Sequence, residues 1–217
     1  MQHGTVIVVA GGDPAGVEPP GHVEGVTVIA ADGGVDTALA LGLGVDLAIG
    51  DFDSVSASGL AAAETAGARI ERHPAAKDAT DLELALDAAI SMRPERIVVI
   101  GSAGGRLDHL LGSLLLLADE RYAGARISAR FGTSHVDVIR GSCVVAGVPD
   151  GVVSLLPVHG PAEGVTTEGL AYPLHDETLA AGTSRGISNV FTGQAARVTV
   201  AHGCLLAVQP GSEDGSS

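Results

Sequence analysis

Tryptophan is absent from this 217-residue chain, and Phe and Tyr together make up only 2% of it. A core must therefore be built from Val, Leu, Ile and Ala. Lysine is almost missing as well: eleven arginines and the single Lys77 face 26 acidic residues, for a formal net charge of −14. That balance argues against a nucleic-acid partner, whose affinity comes mainly from Lys and Arg on phosphates. It leaves room for a small phosphorylated ligand carried with a divalent cation. The two cysteines, Cys143 and Cys204, make no C-x-x-C and no disulfide framework, and read as reduced thiols of a cytoplasmic protein. No membrane segment is expected, since "VIVVA" is too short and lacks a basic flank, and "LLGSLLLLA" falls far below bilayer length. There is no G-x-x-x-x-G-K-[ST] loop, which excludes a Walker-type site, and no G-x-G-x-x-G after the first apolar run, which removes the best reason to invoke NAD.

What the chain does contain, in its first half, is one local pattern used repeatedly. The runs "TVIVVAGG", "VTVIAADGG", "VDLAIGDFDS" and "RIVVIGSAGG" are apolar on both faces and end in glycine with small or acidic residues. Such runs fit buried strands of a parallel sheet. The stretches "VDTALALG", "SGLAAAETAG" and "DLELALDAAISM" between them read as helices, so the alternation predicts an α/β domain. Thr80 followed by Glu83 predicts a capped helix start, with Leu82, Ala85, Leu86, Ala89 and Ile90 as its apolar stripe and Asp81 near the positive end of its dipole. After about residue 125 the texture changes to short β-rich segments separated by Gly or Pro. The expected organisation is an α/β domain over 1–132, a small β-sandwich or barrel over 133–210, and a disordered polar tail over 211–217.

In open α/β sheets, ligands bind outside the carboxyl ends of the strands. The chemically suspicious residues fall there. Asp32, Gly33 and Gly34 follow one strand and Asp51 and Asp53 another; Gly105, Arg106, Asp108 and the adjoining His109 follow a third; Lys77, Asp78 and Asp81 lead into the capped helix. Taken singly, a D-x-D is more often a solvated turn, a Gly-Gly a simple reversal, and an Arg–Asp pair a surface contact. Taken together, carboxylates meeting at one sheet edge repel each other unless a cation lies among them. Oxygen ligands alone select a hard ion such as Mg²⁺. The pattern predicts a magnesium–nucleotide site.

The motifs "ADGG", "GDFDS", "KDATDLELAL" and "GGRLDH", in this order, resemble the catalytic domain of the thiamine pyrophosphokinase family. "GVTTEGLAYPL" and "GISNVF" resemble its thiamine-binding domain, so the likeness runs from about residue 5 to 208. The resemblance implies an N-terminal Rossmann-like domain followed by a β-sandwich, and transfer of pyrophosphate from ATP to the hydroxyl of thiamine, giving thiamine diphosphate and AMP. It implies Mg²⁺ held by Asp51, Asp53 and Asp81. Asp32, Gly33, Gly34, Lys77, Asp78, Gly105, Arg106, Asp108 and His109 would line the nucleotide and phosphate side, and Ser188 and Asn189 would bind thiamine. Asp81 or Asp108 would accept the hydroxyl proton. A homodimer with active sites at the subunit interface is implied too. Many relatives carry a tryptophan after the serine–asparagine pair; with none here, Phe191 or Tyr172 is left to supply an aromatic face.

Two rival readings remain at this level: a related pyrophosphokinase acting on another hydroxymethyl heterocycle such as a pterin, or a nucleotide- or thiamine-binding regulator without catalysis. "GISNVF" favours thiamine over a pterin, and the intact Asp51, Asp53, Asp81 and Asp108 favour an enzyme.

Overall fold

The structure, a computed structural model, describes residues 3–13, 15–17, 25–76 and 78–211, with only the backbone of His3. The chain is mixed α/β, with four α-helices among the described residues and both parallel and antiparallel strands. It divides into two compact units, Met1–Ser113 with Gly124–Thr133, and Leu114–Ala123 with Ser134–Ser217.

The first unit is built on six parallel strands: β1 (His3–Ala10), β2 (Thr27–Ala31), β3 (Leu47–Gly50), β4 (Arg69–Arg72), β5 (Pro94–Gly101) and β6 (Arg126–Phe131), in the order β4-β3-β2-β1-β5-β6. Helix α1 (Gly34–Ala40) follows β2, α2 (Ala57–Thr65) follows β3, α3 (Asp81–Ser91) follows β4, and α4 (Leu107–Leu117) follows β5 and crosses the division between the units. Strand alternation sorts the apolar residues onto two faces. Ile7, Val9, Val28, Ala30 and Ala48 share a core with Val35 and Ala38 of α1 and Ala63 of α2. Their neighbours Val6, Val8, Ile29, Leu47 and Ile49 are equally buried and alternate to the other face, and α3 packs on β1, β2 and β3.

Helix α3 begins where its local chemistry dictates: the Thr80 hydroxyl accepts the Glu83 N–H at 3.2 Å, and Leu82, Ala85, Leu86 and Ala89 are buried. Two elements depart from the sequence reading. The polar run "RIER" forms the edge strand β4, and "LDHLLGSLLLL" forms α4, of whose residues only Leu117 is buried. Moreover, "RISARF", which resembles the later β-rich segments in texture, pairs in parallel with β5 and belongs to the first unit.

The second unit is antiparallel. It contains β7 (Ser134–Ile139), β8 (Ser142–Ala146), β9 (Val152–Glu168), β10 (Glu177–Leu179), β11 (Asn189–Val190), β12 (Ala195–Thr199) and β13 (His202–Gln209). The 17-residue β9 is the hub: its first part pairs with β13 and β11, its last part with β12 and β10. Positive φ at His159, Gly160 and Gly164 bends it between those partners. Val145, Val153, Leu155, Val165, Leu179, Phe191, Val198 and Leu205 form its core. No disulfide joins the described Cys143 and Cys204. Among the described residues no helix is long and apolar enough to cross a membrane.

Candidate functional site

Because β1, β2, β3 and β5 run in parallel, the residues after Ala10, Ala31, Gly50 and Gly101 emerge at one edge of the sheet. The chain moves outward from β1 through β2, β3 and β4, then returns to place β5 on the other side of β1. The switch point lies between β1 and β5, where ligands bind in such sheets. The Thr37 hydroxyl donates to the Gly12 carbonyl at 2.9 Å and ties α1 to the loop there.

One strand away, Asp32, Asp51 and Asp53 converge. Each offers a carboxylate oxygen within 4.8 Å of the others. The Asp32 N–H donates to the Ile49 carbonyl at 2.9 Å, which locks the ends of β2 and β3 side by side. Asp32 and Phe52 both take left-handed backbone, with φ of 47° and 63°, a conformation that costs energy and concentrates at functional sites. The reversal at Phe52 folds the D-x-D onto itself: Asp51 Oδ1 accepts the Asp53 N–H at 3.2 Å, and the Ser54 hydroxyl donates to Asp53 Oδ1 at 2.7 Å. The Arg72 guanidinium lies 4.9 Å from the Phe52 ring centroid and covers the turn from β4.

Asp81 approaches from the start of α3. A side chain at Gly50 would place its Cβ 3.0 Å from Asp81 Oδ1 and 3.1 Å from the Asp32 Cβ. Gly50 also has φ of 150°, so glycine is what allows a helix end and a strand end to bring these carboxylates together. Within the group, Asp32 Oδ1 is buried and has no hydrogen-bond partner. A buried carboxylate oxygen left that way costs stability, and together with adjacent carboxylates it fits a hard cation, whose remaining positions water and phosphate oxygens would fill.

The other anticipated residues are distributed differently. Gly33 precedes α1 and Gly34 opens it. Asp78 is exposed, and Lys77 lies outside the described residues. Gly105 turns with φ of 90° ahead of α4. Arg106 and Asp108 pair with each other, Nε to Oδ1 at 3.2 Å and Nη2 to Oδ2 at 2.6 Å, both exposed. The hydrogen bond from Arg106 holds the Asp108 carboxyl below the usual carboxylate range and raises the guanidinium in turn. His109 is exposed, its carbonyl accepting the Ser113 hydroxyl.

In the second unit, Ser188 is exposed with φ of 56°, and its N–H donates to the Ser154 hydroxyl. Asn189 is 4% exposed and its amide is committed to backbone: Nδ2 donates to the Tyr172 carbonyl at 2.7 Å, and Oδ1 accepts from Tyr172 at 3.0 Å and Val190 at 2.9 Å. Phe191 is 1% exposed and packs in the core, whereas Tyr172 is 62% exposed. Sequence reasoning missed the supports Ser54 and Arg72. The hydroxyl directly after the D-x-D was a usable signal, but nothing local links Arg72 to Phe52.

The family model for the thiamin pyrophosphokinase catalytic domain matches residues 24–129, and that for the vitamin B1 binding domain of the same enzyme matches residues 147–205. The chain belongs to the thiamine pyrophosphokinase family. A thiamine pyrophosphokinase of Bacillus subtilis is 30% identical over 210 residues, covering 94% of this chain and 98% of that protein. The crystal structure of thiamine pyrophosphokinase from Bacillus subtilis superposes with a TM-score of 0.84 at 27% identity, over 96% of this chain and 99% of that one. That of a thiamin pyrophosphokinase family protein from Enterococcus faecalis gives 0.79 at 28% identity, over 97% and 100%. Family membership thus extends over both units, including the acidic group and the Asn189 segment.

Proposed function

We propose that this chain transfers the terminal pyrophosphoryl group of ATP to the hydroxyl of thiamine, releasing AMP. The carrying observation is the convergence of Asp32, Asp51 and Asp53, with Asp81 beside them, at the carboxyl edge of the parallel sheet in a member of this family. In this reading residues 1–132 are a Rossmann-like domain that binds ATP and Mg²⁺, and 133–210 are a β-sandwich domain that binds thiamine. Two cysteines without a disulfide framework support a cytoplasmic setting.

Asp51, Asp53 and Asp81 would hold the Mg²⁺ ion, with the Asp32 carboxylate beside them. When bound, the ion offsets negative charge on the phosphates and lets them approach the carboxylates. The thiamine hydroxyl oxygen forms a bond to the β-phosphorus while the bridging bond to the α-phosphate breaks, and that electron pair leaves on AMP. Such a transfer depends on alignment and charge neutralisation. Arg106 and the backbone at Gly33, Gly34 and Gly105 present donors to phosphate oxygens, and Asp108 orients Arg106 through their two hydrogen bonds. Asp81 at the start of α3 and Asp108 at the start of α4 are the two candidates for accepting the hydroxyl proton. Asn189 acts on thiamine indirectly, by fixing the backbone that presents Tyr172 and Ser188.

A homodimer is supported by α4, where Leu107, Leu111 and Leu115 recur at four-residue spacing and are 68%, 51% and 47% exposed. An apolar stripe of that kind asks to be covered. The deciding experiment combines purified protein, ATP, Mg²⁺ and thiamine, with AMP and thiamine diphosphate quantified. Thiamine-dependent formation of both in equal amounts is expected; AMP no higher than in the thiamine-free control would remove the reading.

A further inference from the structure

We propose that Asp36 is a positioning residue that keeps the D-x-D loop against Asp32, an inference resting on the reading of Asp51 and Asp53 as ion-holding carboxylates beside Asp32. Asp36 lies in the first turn of α1, four residues after Asp32. Both of its carboxylate oxygens reach across to the loop after β3. Oδ2 accepts the Ser56 N–H at 2.7 Å, and Oδ1 accepts the Ser56 hydroxyl at 2.7 Å. The same hydroxyl accepts the Gly59 N–H at 2.9 Å and so caps α2. A Cβ at Gly59 would collide with Asp36 Oδ1, so the carboxylate sits in a slot that glycine leaves open.

The segment from Asp51 to Val55 is thereby closed at both ends, by β3 on one side and by the Asp36 clasp on the other. Such a closure is needed because three carboxylates within 4.8 Å of one another push the loop away from Asp32. Hydrogen bonds to a charged acceptor are the stronger kind, and two of them here act against that repulsion. Asp36 does not join the ligand set, since its two oxygens are already engaged by Ser56. Its effect is to spare the ion the work of ordering the loop, which lowers apparent affinity whenever the competent arrangement is only partly populated.

The test uses Mn²⁺ as probe, titrated by calorimetry into the nucleotide-free full chain as wild type, Asp36→Asn and Ser56→Ala, with amide hydrogen exchange read at Ser56 and Gly59. Asp36→Asn is expected to weaken Mn²⁺ binding by about tenfold or more and to speed exchange at Ser56. Ser56→Ala, which keeps the backbone half of the clasp, should show the same changes in smaller measure. In a variant carrying both substitutions the effects should combine to less than their sum, and the KM for thiamine at saturating ion should stay unchanged in all three. Unaltered Mn²⁺ affinity in both variants alongside a lowered Tm would overturn the proposal, leaving Asp36 as a simple helix-end support. Should Asp36→Asn fail to fold, Ser56→Ala alone decides by the same criterion. A wild type that takes up no Mn²⁺ would refute the ion-site reading instead, and unchanged exchange at Ser56 would still refute the clasp.

Discussion

The side chain of Asn189 closes on the backbone of Tyr172 from both sides, seventeen residues away in sequence, donating to its carbonyl and accepting its N–H. Replacing Asn189 by the similarly sized Leu strands three part-buried backbone groups, on Tyr172 and Val190. Urea unfolding is expected to show a loss of about 2–3 kcal/mol. If the segment serves thiamine, the KM for thiamine rises while that for ATP holds.

Tyr172 is the exposed member of a very small aromatic set. Tyr122, Phe131 and Phe191 are buried, and Phe52 is half-buried beneath Arg72. A cationic thiazolium favours an aromatic face. Tyr172→Ala should therefore raise the KM for thiamine about tenfold, with Tyr172→Phe close to wild type and Tm unchanged in both.

Within the acidic group, stability and activity should move in opposite directions. Asp32→Asn tolerates the left-handed backbone at that position and removes one of three mutually repelling charges. The metal-free protein should gain up to about 1 kcal/mol, the size of one such repulsion in a water-like dielectric. Turnover with saturating Mg²⁺ should fall by about 100-fold or more, as should that of Asp53→Asn. Denaturant titration and steady-state kinetics on the same preparations would check both.

Asp108 offers a pH test. Its pKa is lowered on folding, chiefly by the hydrogen bond from Arg106. Ionisation therefore favours the folded state above the ordinary carboxylate range, and that preference is lost as pH falls through the lowered value. The pair is fully exposed, so screening keeps the effect small. Asp108→Asn is expected to shift Tm by no more than about 2 °C at neutral pH, with the difference closing in acid. A clear fall in turnover at neutral pH would then mark a role in the reaction and not in folding.

A charge in the middle of the α4 leucine stripe tests assembly. Leu111→Glu should convert a dimer to a monomer in sedimentation velocity and remove activity with it, while far-ultraviolet circular dichroism stays unchanged. A wild type already monomeric at micromolar concentration would dismiss the proposed dimer.

What could be read in advance was what local chemistry specifies. The strands around Val6–Val9, Val28–Ala31 and Ile97–Ile100 announce themselves by apolar runs, and α3 by Thr80 and Glu83. The edge strand β4 escaped because "RIER" has no apolar period: among the described residues one side has no neighbouring strand, and its end residues are exposed. Helix α4 escaped because leucine lies on nearly all of its faces, which blurs any amphipathic signal. The pairing of β6 with β5 is a matter of topology: "RISARF" shares the texture of the later strands, although the expected boundary at 132 already left it in the first domain. At the site, the carboxylates were legible as residue types at strand ends, but their supports were not. Ser56 meets Asp36 across twenty residues, Arg72 meets Phe52 from the neighbouring strand end, and the Asn189 amide binds the backbone of Tyr172 and Val190.

The bent strand β9 has a consequence for how the second unit comes apart. Four other strands pair with this one segment, and among the described residues β10 and β11 have no second partner, so losing β9 removes pairing from all four at once. Hydrogen exchange across β9, β10, β11, β12 and β13 should accordingly converge on one opening free energy, as a single cooperative block. A chain break introduced between His159 and Gly160 should abolish that block, whereas new termini in the turn at Pro149–Gly151 should leave it intact.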